Sequence, residues 1–92
     1  MQIVEEVMNH YLDKLDGAFI EKKESTIVFD YTDADIQFGY MIANELGKHI
    51  EILISNGYPV QKVLGQSYLE VKPIELRKVK LILISSHAYI YI

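Results

Sequence analysis

The sequence predicts an α+β fold: a helix-hairpin-helix-hairpin repeat that builds a four-stranded, mostly antiparallel sheet with two helices on one face. Three observations carry this. Two segments repeat apolar residues at helical spacing, each is followed by a pair of short β-rich stretches around a polar turn, and Asp-Gly or Asn-Gly closes each helical segment.

The first segment, Gln2 to Leu15, sets Ile3, Val7, Tyr11 and Leu15 four apart with Val4, Met8 and Leu12 beside them, one apolar stripe of a helix. Asp16-Gly17 ends it, because glycine takes the left-handed conformation that closes a helix. Ala18 to Lys23 and Thr26 to Tyr31 are rich in Phe, Ile, Val and Tyr around the polar Glu24-Ser25, a β-hairpin. Asp33-Ala34-Asp35 offers capping oxygens to a second helix. In it Ile42, Ala43, Leu46, Ile50 and Leu53 recur at helical spacing until Asn56-Gly57. After Pro59, Val60 to Leu64 and Ser67 to Lys72 flank Gly65-Gln66, a second hairpin with glycine in its turn.

With a single apolar stripe on each helix, both helices pack on one sheet face and leave the other open. Period-2 alternation puts Phe19, Glu21 and Lys23 on one side of the first strand and Tyr68, Glu70 and Lys72 on one side of the last. Ile20, Leu69 and Val71 point the other way, toward the helices. Two Glu and two Lys with Phe19 and Tyr68 between them make a surface able to hydrogen-bond a polyhydroxylated ligand. The plainer reading of the same residues is a solvated face whose Lys and Glu pair across strands.

Composition narrows the function classes. A chain of 92 residues has room for one core, and with half its residues hydrophobic it can fill one. At this size folding buries only roughly 60 to 65% of the unfolded surface. A net charge of -4 with no Lys/Arg cluster argues against nucleic acid as a partner. The absence of cysteine excludes disulfides and thiolate metal sites, and the first residues lack a signal-peptide pattern, so a reducing, cytoplasmic setting is expected. The apolar stretch from Val79 to Ile92 is interrupted by Lys80, Ser85, Ser86 and His87 and falls short of the roughly 20 residues that span a bilayer, so no membrane association is expected. His10 and His49 lie singly on helices and His87 reads as a turn residue, which assigns no metal site.

Several ordered motifs then stand out: Phe-Ile-Glu-Lys-Lys-Glu-Ser at 19 to 25, Asp30-Tyr31, Asp33-Ala34-Asp35 with Phe38-Gly39, and Gly65-Gln66 with Leu-Glu-Val-Lys-Pro at 69 to 73. In order and spacing they resemble the trehalose-phosphatase family of haloacid-dehalogenase-like phosphatases. The part resembled is the mobile cap that folds over the active site. The wording is most similar to the phosphatase-like C-terminal region of plant two-part trehalose-phosphate synthases, where a Met-Gln-Ile-Val-Glu-Glu-Val-Met-like helix opens the same cap. The resemblance covers residues 2 to 78, which divides the chain into a cap-like domain, 1–78, and a divergent strand-like tail, 79–92.

The resemblance implies that Glu21, Lys23 and Glu70 contact sugar hydroxyls and that Lys78 reaches the phosphate from the cap-core junction. It implies trehalose 6-phosphate, or a similar sugar phosphate, as a weakly bound partner. It also marks departures. Asp30-Tyr31-Thr32 stands where the family commonly has His-Tyr-Arg, which replaces a cationic sugar contact by a neutral one. Arg77 and Val79 flank Lys78 in place of Asn/Ser and Gly. The family's Asp-x-Asp-Gly-Thr nucleophile stretch and its Gly-Asp-Asp metal-binding stretch do not occur in these 92 residues. Magnesium serves the family's catalytic core; for this chain no cofactor and no catalytic residue are expected, and Asp33 and Asp35 are explained by capping. The expectation is a cap region of trehalose biosynthesis without its core, a fragment or a relic of a larger protein. The alternative is a non-catalytic binding or dimerisation module, and an apolar edge in the tail would suit a homodimer through residues 79–92.

Overall fold

The computed structural model describes residues 1–74. Lys78, the strand-like tail and any dimer formed through it lie outside the described residues. Element order is α1 (Gln2–Leu12), β1 (Phe19–Lys22), β2 (Ile27–Asp30), α2 (Ile36–Ser55), β3 (Val60–Leu64) and β4 (Tyr68–Pro73). All three strand pairings are antiparallel, in the order β1-β2-β4-β3. The second hairpin therefore inserts its return strand next to the first hairpin, and α2 crosses over it to reach the edge strand β3.

Helix α1 is shorter than its apolar spacing suggests. It ends at Leu12, and Lys14 and Leu15 donate their backbone N–H groups to Tyr11 and Leu12 carbonyls at 3.0 and 3.3 Å, a tightened turn. That turn lets Leu15 reach the core, where it is buried, while Ile3 at the other end of the stripe stays exposed. Gly17 follows at φ 90°, and a Cβ there would lie 2.6 Å from the Asp33 carbonyl oxygen, so both backbone angle and space require glycine.

Helix α2 is capped at both ends by the residues that signal it. Asp35 Oδ2 accepts a hydrogen bond from the Phe38 N–H at 2.8 Å. At the far end Gly57, at φ 94°, and Tyr58 donate to the Ile54 and Leu53 carbonyls, both at 3.0 Å, which satisfies carbonyls that the helix leaves unpaired. Its inner side buries Gly39, Ile42, Ala43, Leu46, Gly47 and Ile50. Contrary to a single apolar stripe, α2 also exposes Ile36, Phe38, Tyr40, Met41 and Ile52.

The core lies between the helices and one sheet face. Ile27 and Phe29 of β2 and Leu69 and Val71 of β4, alternate residues of the two central strands, pack in one buried cluster with Val4, Met8, Ile42, Leu46 and Ile50. Each such side chain contributes about 1.5 to 3 kcal/mol by leaving water. Both helices are thus on the same side, as the sequence predicts. Lysines on this face reach its margins: Lys22 Nζ lies 3.4 Å from Glu5 of α1, and Lys62 Nζ lies 2.5 Å from Glu51 of α2 and donates to the Gly47 carbonyl at 3.4 Å. The Lys62 ammonium holds the Glu51 carboxyl below the usual carboxylate range, through the hydrogen bond first and its charge second. Tyr11 Oη lies 3.4 Å from His49 Nδ1, a polar link between the two helices.

Candidate functional site

The sheet face turned away from the helices is ordered by strand register. Phe19 of β1, Asp30 of β2 and Tyr68 of β4 form one row; Glu21, Val28, Glu70 and Val63 form the next, one residue from each strand. The two glutamates therefore flank Val28 on the same face, opposite both helices. Lys23 follows directly on β1, and its backbone N–H donates to the Thr26 carbonyl at 2.8 Å to close the β1-β2 turn. Glu21, Lys23, Val28, Asp30, Tyr68 and Glu70 line a shallow concavity of about 270 Å³.

Packing fixes the aromatic edge of this concavity. The β3-β4 hairpin closes with the Gly65 N–H donating to the Tyr68 carbonyl at 2.9 Å, so the turn itself is Gln66-Ser67, one residue later than the sequence suggests. Gly65 serves instead as a platform. A Cβ there would come within 2.1 Å of the Tyr68 ring, so the ring occupies the space a side chain would fill. Asp30 is pinned as well: its Oδ1 accepts from the Thr32 N–H at 2.9 Å. Among the described residues no ion pair joins Lys23 or Lys72 to Glu21 or Glu70 within 4.0 Å; the ion pairs found there are the two on the helix face. Cross-strand neutralisation is thus not how this face is arranged.

Chemically the surface offers carboxylate acceptors, one ammonium donor, a phenol, and an apolar floor at Val28, which is buried although it lies on the open face. Such a mixture suits a ligand with many hydroxyls and apolar C–H faces. The structure brings Glu21, Lys23 and Glu70 together; Lys72, paired with Gln61, lies one row further along the same face. Lys78 falls outside the described residues. Val28 and Asp30 are additions to the residues that sequence reasoning assigned. Ile27-Val28-Phe29 reads as one continuous apolar run, which hides the alternation that puts Val28 and Asp30 opposite Ile27 and Phe29. Applying the period of two to β2 as well as to β1 and β4 exposes them.

Among the described residues no group of three or more His, Cys, Asp or Glu side chains could hold a metal ion. No helix among them is long and apolar enough to cross a membrane.

Fold and site together define a small α+β module with two helices behind an antiparallel sheet and a polar, aromatic-edged open face in front. The chain belongs to the trehalose-phosphatase family, whose model matches residues 1–85. It is 43% identical over 81 residues to a probable α,α-trehalose-phosphate synthase [UDP-forming] 11 of Arabidopsis thaliana, covering 88% of this chain and 9% of that protein. A second synthase of that plant, number 6, is 47% identical over 72 residues, with 78% and 8% covered. The trehalose-6-phosphate phosphatase of Aspergillus fumigatus superimposes with a TM-score of 0.74 at 32% identity, over 78% of this chain and 26% of the phosphatase chain. The chain therefore spans about a tenth of the length of the curated relatives it matches.

Proposed function

We propose that this chain is the sugar-covering cap of a protein that handles trehalose 6-phosphate, supplying ligand contacts and no chemistry of its own. The observation that carries the reading is the shared row of Glu21, Val28 and Glu70 beside Lys23, free of ion pairs among the described residues and turned away from the helices. Glu21 and Glu70 accept hydrogen bonds from sugar hydroxyls, Lys23 donates to a sugar oxygen, and Val28 with the rings of Phe19 and Tyr68 packs against C–H faces. Lys78 would meet the phosphate at the junction with a catalytic core. That core must be supplied from outside the 92 residues, since they hold neither nucleophile stretch nor acidic metal-binding stretch.

Three polar contacts on an open surface have to offset water competition and an association cost of about 4 kcal/mol or more. The expected dissociation constant for trehalose 6-phosphate is about 1 mM or weaker, equivalent to about 4 kcal/mol. Ligand-observed NMR titration of the 92-residue chain tests this, with Glu70→Ala expected to remove the binding. Binding that Glu70→Ala leaves intact contradicts the reading. With Mg²⁺ the purified chain should release no phosphate from trehalose 6-phosphate above background, and turnover that survives repurification would contradict the non-catalytic role.

A further inference from the structure

The concavity is lined by three carboxylates, Glu21, Asp30 and Glu70, against one ammonium, Lys23. Asp30 is the carboxylate with no role in the reading above. It sits in the row between the aromatic residues Phe19 and Tyr68. One oxygen, Oδ1, is held by the Thr32 N–H at 2.9 Å, and among the described residues Oδ2 accepts no hydrogen bond. The group is therefore positioned by backbone with an acceptor to spare, beside rings that would clamp a pyranose.

We infer that Asp30 is a specificity-determining residue that makes this face select the uncharged end of a disaccharide and reject its phosphorylated end. This rests on the sugar-covering reading. Hydroxyl groups donate to a fixed carboxylate, and hydrogen bonds to a charged acceptor are the stronger kind. A phosphate monoester carries close to two negative charges at neutral pH and has only acceptor oxygens to present. Placed in this concavity it meets three like charges and one ammonium; placed outside it, past the Lys23 end where Lys72 lies one row further along the face, it leaves those carboxylates behind. The ligand thus enters with its neutral ring over Val28 and its phosphate pointing outward. Thr32 adds no compensating cation at this end of the sheet.

Ligand-observed NMR titrations of the 92-residue chain with trehalose and with trehalose 6-phosphate, at low and high salt, read this directly. The unsubstituted chain should bind trehalose at least as well as its phosphate. Asp30→Asn keeps the shape and the Oδ1 acceptor for Thr32, so the fold is retained. It removes one like charge, and the ratio of the two dissociation constants should move toward the phosphate by roughly three- to fivefold. Raising NaCl to about 0.5 M shortens the screening length to about 4 Å and should narrow the preference without any substitution. Glu51→Gln removes a negative charge from the helix face and should leave the ratio unchanged.

An Asp30→Asn ratio equal to that of the unsubstituted chain overturns the inference while binding itself still supports the sugar-covering role. An equal shift in Glu51→Gln also overturns it, because net charge and not position would then decide. If neither ligand binds at tens of millimolar, the sugar-covering reading falls and this inference falls with it.

Discussion

Two glycines on the inner side of α2 should respond in opposite directions to the same substitution. Alanine is favoured over glycine inside a helix by about 1 kcal/mol, and that gain is available at both Gly39 and Gly47. What differs is the neighbour. A Cβ at Gly39 would lie 3.0 Å from Cδ2 of Tyr31 and 3.7 Å from its Cβ and Cγ, against a ring that is 5% exposed and packed beside Phe29 at a centroid distance of 6.4 Å. Yielding to the Cβ would pull that buried ring out of its packing, and overpacking of this kind costs about 1 to 3 kcal/mol. A Cβ at Gly47 meets only the Lys62 ammonium, at 3.3 Å, the end of a flexible side chain whose partner Glu51 is itself exposed. Shifting an ion pair of that kind costs less than about 1 kcal/mol. Gly47→Ala should therefore stabilise by about 0.5 kcal/mol and Gly39→Ala destabilise by about 1 kcal/mol. Urea unfolding followed by circular dichroism measures both; at a slope near 1 kcal/mol/M the two midpoints should differ by about 1.5 M. Coincident midpoints, or a more stable Gly39→Ala, would refute the assignment of Tyr31 as a rigid wall and Lys62 as a movable one.

Further expectations concern charge, ionisation and the aromatic edge. The Glu51 carboxyl should titrate below the ordinary glutamate range and return to it in Lys62→Met, read by NMR of the side-chain carboxyl. Because its folded value is depressed, its contribution to stability is present above the unfolded value and lost as pH falls through the folded one. An unchanged Glu51 midpoint in Lys62→Met would show that the pair does not persist in solution. Burial, with the neighbouring Tyr40 adding to it, raises the ionisation of Tyr31 above the usual phenol value of 10.0. The associated stability is present below that value and lost as pH rises through the folded one, so Tyr40→Phe, which removes the smaller cause, should shift alkaline unfolding followed by circular dichroism to higher pH, and an unchanged profile would contradict a charge contribution from Tyr40. Gly65→Ala should displace the Tyr68 ring, which is 37% exposed and can swing into water. The cost to stability should stay within about 1 to 2 kcal/mol, yet ligand binding should weaken to the same degree as in Tyr68→Ala.

Much of the architecture is legible in the sequence because two periodicities are clean. Alternation along Phe19-Ile20-Glu21 and Tyr68-Leu69-Glu70 places the same residues on the same faces that the strand register does. The bounds of β3 coincide with expectation, and the Asp35 and Gly57 signals mark the ends of α2 as they stand. Strand order was not readable, since the period of a strand says which face a residue takes and nothing about which strand lies beside it. The insertion of β4 between β2 and β3 follows from long-range pairing alone. Ile3 and Leu15 show the limit of helical spacing: both fit the stripe, but α1 ends at Leu12 and only Leu15 is carried into the core by the turn after it. Lys62 shows another limit, because a lysine in register with apolar residues reads as solvent-facing until Glu51 and the Gly47 carbonyl are seen above it. In the site, Glu21, Lys23 and Glu70 were legible from alternation and resemblance together, whereas Asp30 was hidden at the end of an apolar run.

Residue-resolved NMR of the 92-residue chain titrated with trehalose tests the central claim, that the sheet face opposite the helices receives the sugar. Amide shifts should concentrate at Phe19 to Lys23, Val28 to Asp30 and Tyr68 to Glu70, and leave the outer surfaces of α1 and α2 unmoved. Shifts confined to the helices, or shifts at Phe19 to Lys23 and Tyr68 that persist unchanged in Glu70→Ala, would contradict it.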